Sequence, residues 1–454
     1  MTPIRLFDFA CDCGGEVFGA DRTSFFEGFS WDSREVANGS LFLAIKGEHF
    51  DGHDFCAQAL ESGASACLVE RPIEGPHVLV KSVTGALASF AEVKREDFDG
   101  PVIGITGSNG KTSTKEFTAS AVSSLGDVLK TPGNYNSEIT SPLIWADLTA
   151  EHRAAVIEMG MRGFGQIDHL CRFTKPTIGI ITGIGTSHAE KVGSRAGIAK
   201  AKGELLENLP ASGKAILWRE DDFYNDLVKM APCEALSFGH SPEADCRVIG
   251  HRMIDWTKSV VLLQIGGNQF EVCVQAIGKH QALNVAAGVL AATAAGVPAE
   301  TAARDAQKAV LPPMRLETIE RDGVTIVVDT YNASPDSTVA AIRTLAEAPS
   351  TGKKYAVLGE MKELGDFEES GHRLVGKELV ESQLDRVLLC GGATAYIRAE
   401  AEQRGFPDSK FESTEAVEIE TIKRFIAGCE PGDTVLIKGS RALGLERAVS
   451  EVHA

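Results

Sequence analysis

No stretch of this chain carries the ~18 consecutive apolar residues of a membrane-crossing helix, so no membrane span is expected. Its beginning, Met1-Thr2-Pro3-Ile4-Arg5-Leu6-Phe7-Asp8, has no apolar run of the kind a secretory leader needs. Basic residues are outnumbered, 45 Lys and Arg against 63 Asp and Glu. The resulting net charge of −18 repels polyanions at long range and argues against nucleic acid as a partner. Local basic spots remain free to hold a small anion. Cysteine is scarce, ten in 454 residues, and the only close pair is Cys11-x-Cys13. No second Cys or His pair stands nearby to complete a tetrahedral zinc site, so reduced structural thiols and a cytoplasmic location are expected. Internal repeats and low-complexity tracts are missing as well.

What is present fits an α/β protein of three domains, since a chain of 454 residues exceeds one ordinary core. Residues 1–97 hold short strands and helices, such as Ser40–Ile45 and the helix-like Asp54–Ser62. From 98 to 312 apolar strands alternate with helices: Pro101–Thr106, Ala155–Glu158, Thr177–Thr182 and Ala215–Trp218 read as a parallel sheet. Residues 245–277 alternate differently and predict an antiparallel appendage around Gly266-Gly267. A helix from Gln281 to Ala295 stops at Gly296, and a second ends near Pro312-Pro313. From 313 to 454 β/α alternation restarts, with strands at Thr325–Val328, Tyr355–Leu358, Val387–Cys390 and Thr434–Ile437, a Rossmann-like pattern.

The strongest chemical signal is Gly104-Ile105-Thr106-Gly107-Ser108-Asn109-Gly110-Lys111-Thr112-Ser113. A strand feeds a glycine turn whose N–H groups can wrap phosphate oxygens, and a helix N-terminus follows. Lys111 can reach the β- and γ-phosphates of ATP, and the Thr112 hydroxyl can hold Mg²⁺. The alternative is a glycine turn with an exposed lysine. The longer G-x₄-G-K-[ST] pattern is not met, because Ile105 stands at its first glycine. Glu158, ending a strand before Met159-Gly160, is placed to hold a metal at the sheet's C-terminal edge, or is merely solvated there.

This short Thr-Gly-x-Asn-Gly-Lys-Thr form resembles the Mur ligase family, the amide ligases of peptidoglycan precursor synthesis. Further segments carry the resemblance over nearly the whole chain. Thr131-Pro132-Gly133-Asn134-Tyr135-Asn136 is similar to the segment after the family's first helix, which implies Asn134 and Asn136 near the γ-phosphate and the reacting carboxylate. Gly183-Ile184-Gly185-Thr186-Ser187-His188 implies His188 on a second Mg²⁺. Ile198-Ala199-Lys200-Ala201-Lys202-Gly203-Glu204 resembles the stretch in which one lysine is carbamylated by CO₂. Lys202 aligns best and would become an anionic metal ligand, with Lys200 the competitor and a solvated helix face the alternative for both. Gly278-Lys279-His280-Gln281-Ala282-Leu283-Asn284 implies adenine contacts from His280 and Asn284. Met314-Arg315-Leu316-Glu317 resembles the family's Gly-Arg-x-Glu, with Met in place of Gly, and implies Arg315 on the phosphates. Asp329 would hold the ATP ribose.

The stretch Tyr331-Asn332-Ala333-Ser334-Pro335 resembles the branch of the family that adds a dipeptide, and the tripeptide-forming branch's Asp-Asn-Pro-Arg motif is missing. Ser33-Arg34 and Lys46-Gly47 resemble the UDP-binding first domain of that branch, and Lys438-Gly439-Ser440-Arg441 would face the incoming dipeptide's carboxylate. Surface charge clusters are the alternative at both places. The resemblance therefore implies a UDP-binding domain, a central ATPase domain and a dipeptide-binding domain. It also implies ATP, two Mg²⁺ ions and the joining of D-alanyl-D-alanine to UDP-N-acetylmuramoyl-tripeptide by a monomer. Rival readings are another ligase of the family, a phosphate-loop NTPase without ligase activity, and an inactive nucleotide-binding scaffold. No Ser/His/Asp or Cys/His nucleophile set is evident.

Overall fold

The computed structural model describes residues 1–47, 49–186 and 189–450. The chain divides into two compact units, one of residues 1–104, 125–160 and 165–177, the other of 105–124, 161–164 and 178 onward. Among the described residues, no helix is long and apolar enough to cross a membrane.

In the first unit a five-stranded sheet runs Glu16–Phe18, His77–Leu79, Ala66–Val69, Leu41–Leu43, Phe29–Ser30. Only the Glu16–Phe18 pairing is antiparallel. Its central strands are apolar on both faces because both are covered. Helices Leu6–Cys13 and Val83–Glu96 bury Leu6, Phe9, Leu87 and Phe90 on one side, and Cys56–Glu61 covers Phe42, Cys67 and Val69 on the other. The same unit holds the parallel pair Asp127–Lys130 and His152–Glu158.

The second unit opens at the end of the buried strand Val102–Thr106, whose last residues lead through the glycine turn into helix Lys111–Ala121. Parallel strands Ile178–Ile181, Lys214–Trp218, Glu234–Gly239 and Cys246–Met253 follow in order. The antiparallel strands Ser259–Ile265 and Asn268–Val274 continue this run, so the expected appendage is the sheet's own edge, joined where Phe238 pairs with Cys246. Helix Lys279–Ala294 packs on Lys111–Ala121 at Gly288, where a Cβ would stand 2.9 Å from the Thr118 nitrogen.

A six-stranded sheet completes the unit, ordered Glu317–Arg321, Val324–Asp329, Thr434–Lys438, Lys354–Gly359, Arg386–Cys390, Phe411–Thr414. All neighbours are parallel except the first pair. The chain's last strand is inserted between its second and third, the kind of crossover at whose carboxyl edge open α/β sheets bind ligands. Asp329, Gly359 and Lys438 end their strands at that edge.

Candidate functional site

The glycine turn is shaped by what surrounds it. Gly107 sits at φ +152, and a Cβ there would lie 1.8 Å from Thr182 Oγ1, so no other residue fits. Thr182 in turn donates to the Asn109 carbonyl at 2.5 Å, tying the turn to the end of strand Ile178–Ile181. The Ser108 amide donates to the Gly183 carbonyl at 2.9 Å, and Ser108 Oγ accepts from the Gly185 amide at 2.9 Å. Lys111 Nζ bends back onto the Gly107 carbonyl at 2.7 Å. Ser113, like Thr112, is buried at the helix's first turn.

Two residues from beyond Pro312-Pro313 reach this turn. Arg315 donates from Nη2 to Thr112 Oγ1 at 2.8 Å and lies 4.1 Å from the Tyr331 ring centroid. Its Nε is buried with no hydrogen-bond partner among the described residues, a donor that an anion would satisfy. Ser334 donates to Asn109 Oδ1 at 2.8 Å while its oxygen caps helix Pro335–Glu347 by accepting from the Ser337 amide at 3.3 Å. Thr182 and Ser334 were not singled out by sequence. A polar residue ending an apolar strand, and a Ser-Pro helix start, were the signals available.

Lys202 and Lys200 part company on helix Arg195–Glu207. Lys202 is 1% exposed, and burial, with the Lys111 charge pushing the same way, holds its amine well below the usual lysine range. Lys200 is exposed, its ammonium 5.9 Å from the Phe164 ring. His188 lies outside the described residues. The segment leading to it is clamped at Ile184, whose amide donates to Asp221 Oδ2 at 2.7 Å and whose carbonyl accepts from Arg195 at 3.0 Å.

At the carboxyl edge of the six-stranded sheet, Lys438 is buried and donates to Asp329 Oδ2 at 2.6 Å and to the Asn332 carbonyl at 3.0 Å. The partly buried His280 senses both charges, and burial pushes its imidazole down to about 4, so it is neutral at pH 7. Gly278 and Lys279 border a cavity of about 250 Å³, with Thr344 and Glu347 among its lining. Asn284 is buried, its side chain accepting from Thr114 at 3.2 Å and donating to Gln281 at 2.9 Å. Ser440 Oγ accepts from the Lys362 amide at 2.8 Å, and Arg441 pairs with Glu446 at 3.2 Å while remaining half exposed.

In the first unit, Glu158 ends its strand with 2% exposure. Asn136 Nδ2 donates to its Oε1 at 2.7 Å, while Oε2 is buried with no hydrogen-bond partner among the described residues. A buried, half-satisfied carboxylate is an arrangement that a hard cation relieves, so the residues here fit Mg²⁺. Asn134 is exposed, and its carbonyl accepts from the Asn136 amide at 2.7 Å. Arg34 is exposed and grips Asp32 through two bonds of 2.9 and 2.6 Å, which lowers the Asp32 carboxyl to about 2. Ser33 lies between them in sequence. Lys46 forms an antiparallel bridge with Asp51, which also accepts from His53 Nδ1 at 2.6 Å.

Comparison with known proteins agrees with this arrangement. The Mur ligase family, catalytic domain, matches residues 26–96, the Mur ligase middle domain matches 105–292, and the Mur ligase glutamate ligase domain matches 314–441. A UDP-N-acetylmuramoyl-tripeptide–D-alanyl-D-alanine ligase of Bacillus subtilis (strain 168) is 34% identical over 431 residues, 94% of this chain and 93% of its own. Crystal structure I of MurF from Acinetobacter baumannii superposes with a TM-score of 0.88 at 29% identity, covering 100% of this chain and 99% of that one. The MurF ligase of Thermotoga maritima in complex with ADP gives a TM-score of 0.79 at 31% identity, over 93% of this chain and 96% of its own. This chain belongs to the Mur ligase family.

Proposed function

We infer that this chain is the ATP-dependent ligase that adds D-alanyl-D-alanine to UDP-N-acetylmuramoyl-tripeptide in peptidoglycan precursor synthesis. The observation that carries the reading is its likeness, over nearly its whole length, to enzymes named for that reaction. The Thr-Gly-x-Asn-Gly-Lys-Thr turn and Arg315 beside Thr112 supply a place for the nucleotide's phosphates. Both substrates and ATP are small cytoplasmic molecules, and we assign the enzyme to the cytoplasm as a monomer. We divide it into a UDP-binding domain (1–97), an ATP-binding domain (98–312) and a dipeptide-binding domain (313–454).

The tripeptide's terminal carboxylate attacks the γ-phosphorus of ATP, ADP leaves, and an acyl phosphate forms. The free amine of D-alanyl-D-alanine then attacks the acyl carbon, the C–O bond breaks as phosphate departs, and the proton lost by the amine leaves with the phosphate. Lys111 leaves the Gly107 carbonyl to meet the β- and γ-phosphates, and the turn's N–H groups hold the remaining oxygens. Arg315, fixed by Thr112 and Tyr331, presents its guanidinium to the transferring group. Asn134 and Asn136 orient the carboxylate. His280 and Asn284 face the adenine, with the neutral imidazole as a hydrogen-bonding group, and Asp329 takes the ribose. On the substrate side, Ser33, Arg34 and Lys46 hold the UDP moiety, and Tyr331, Asn332, Lys438, Ser440 and Arg441 define the dipeptide end. Mg²⁺, when bound, neutralises charge that develops on the phosphate oxygens. Thr112, Glu158, His188 and Lys202 are the residues that would hold two such ions.

For Lys202 we propose the carbamate. Burial weakens the hold of its amine on the proton; once that proton is lost, the lone pair attacks CO₂, giving N–COO⁻ and a second released proton. The test of the whole reading is mass spectrometry of products from ATP, D-alanyl-D-alanine and a panel of UDP-muramoyl peptides. Formation of the pentapeptide product with stoichiometric ADP supports it. ATP turnover without an acceptor amine would instead mark an NTPase of another kind. A folded Lys111→Ala protein that ligates like the wild type would overturn the role of the turn.

A further inference from the structure

Trp31 stands two residues before Ser33, in the stretch assigned above to the nucleotide sugar, and is 39% exposed. It meets Tyr135 edge-to-face, with ring centroids 5.4 Å apart and planes at 76°. Tyr135 lies between Asn134 and Asn136, in a turn where its own amide donates to the Pro132 carbonyl at 3.1 Å. Asn136 is fastened to the strand end by two bonds: its side chain to Glu158 Oε1 at 2.7 Å, and its carbonyl from the Gly160 amide at 2.8 Å. Asn134 and Asn136 are therefore held in the strand-end direction by hydrogen bonds. Toward the nucleotide-sugar stretch, the ring of Trp31 holds the tip of the same turn.

We propose that Trp31 is a positioning residue for phosphoryl transfer: through Tyr135 it holds the Asn134–Asn136 turn, and with it the Glu158 carboxylate, in register with the bound nucleotide sugar. This rests on the ligase reading above and adds to it a residue with no chemical role of its own. The contact is built from aromatic edges, so its strength depends on ring geometry rather than on charge. A residue that only touched the nucleotide sugar would change KM alone, because that binding is present equally in ground and transition states. A residue that positions the turn changes kcat.

The test is a double-mutant cycle in the full-length enzyme, scored on amide formation. Trp31→Ala is expected to lower kcat by about 3- to 10-fold, the scale of one aromatic pair. Trp31→Phe, which keeps an edge for Tyr135, is expected to restore most of it. Tyr135→Ala should match Trp31→Ala, and the double variant should be no worse than either single one. Independently of turnover, Trp31 emission, taken as the difference between wild type and Trp31→Phe, should change when the nucleotide sugar binds without ATP. Tyr135→Ala should diminish that change. Additive losses in kcat, a Trp31→Ala effect confined to KM, or emission indifferent to Tyr135 would each overturn the proposal. Circular dichroism verifies that the variants fold. If the wild type itself forms no amide product, the ligase reading fails first, and the two failures are distinguishable.

Discussion

Lys200 and Lys202 show how much a two-residue step on a helix decides. One ammonium lies out over Phe164, while the other is buried close enough to Lys111 to feel its charge, and both effects push its amine below the usual lysine range. Lys202→Ala should lose more kcat than the roughly 10- to 100-fold that removal of an outer-shell metal partner costs, and short carboxylic acids should restore part of it. Lys200→Ala should stay near wild type, and a reversal of these two outcomes in steady-state assays would refute the assignment. His280 gives a second prediction, in stability. Unfolded, its imidazole titrates near the ordinary ~6.5; folded, it is held at about 4. Above pH ~6.5 neither state binds the proton and the residue is silent. As pH falls toward 4, the unfolded chain protonates first, so stability declines by at most about 1.4 kcal/mol per pH unit. Urea unfolding at successive pH values should show a shallower acid slope for His280→Asn than for wild type. Equal slopes would mean that other groups carry the loss. The motif residues around Lys111 were legible in the sequence because their spacing is local. The engagement of Lys438 with Asp329 was not, because it joins residues far apart in sequence whose strands end side by side.

Among the elements, the strand Val102–Thr106 and the alanine-rich helix Lys279–Ala294 lie within two residues of the ranges the sequence predicts, since continuous apolar runs bounded by Gly and Pro leave little choice. The strands Ser259–Ile265 and Asn268–Val274 are antiparallel as the sequence predicts, but they are no appendage: Cys246–Met253, parallel to Glu234–Gly239 on one side and antiparallel to Ser259–Ile265 on the other, carries them as the edge of the main sheet. Pairing between Phe238 and Cys246 that joins them to the main sheet involves only the last residues of one strand and the first of the next, too short to show as periodicity. Met314 gives a different lesson. It stands where the family resemblance places Gly, and its φ is +60, a conformation that glycine adopts freely and other residues at a cost of about 1 kcal/mol or more. Helix packing supplies the element-scale prediction. Gly288→Ala gains up to about 1 kcal/mol of helix propensity. It also drives a Cβ to 2.9 Å from the Thr118 nitrogen and 3.1 Å from the Phe117 carbonyl carbon. Backbone atoms yield less readily than side-chain ends, and overpacking costs about 1–3 kcal/mol, so a net loss of thermal stability is expected. An unchanged or raised Tm would show that the helices can separate without penalty.

For the molecule as a whole, the surplus of acidic groups is the dominant long-range fact. A net charge of −18 destabilises the compact state by self-repulsion. Raising ionic strength from about 10 mM to about 150 mM shortens the Debye length from roughly 30 to 8 Å and should raise Tm by a few degrees. A Tm that falls over that range would mean that attractive ion pairs outweigh the repulsion. Within the second unit, Arg315 on Thr112, Ser334 on Asn109 and Thr318 on the Trp256 carbonyl fasten the chain beyond the Pro312-Pro313 linker to the chain before it. Sequence could mark the linker, but not these ties. Each is a single polar contact between segments remote in sequence, made possible by helix and strand ends meeting.

The fit of Gly107 against Thr182 carries over into genetics. Every missense change in a glycine codon adds at least a Cβ, and here that atom would fall 1.8 Å from a hydroxyl that is itself pinned to the Asn109 carbonyl. Codon 107 thus admits no mild alleles. In a saturation library selected by complementation, the surviving clones at this position should carry synonymous glycine codons alone, whereas position 200, exposed on its helix, should return a broad spectrum of side chains.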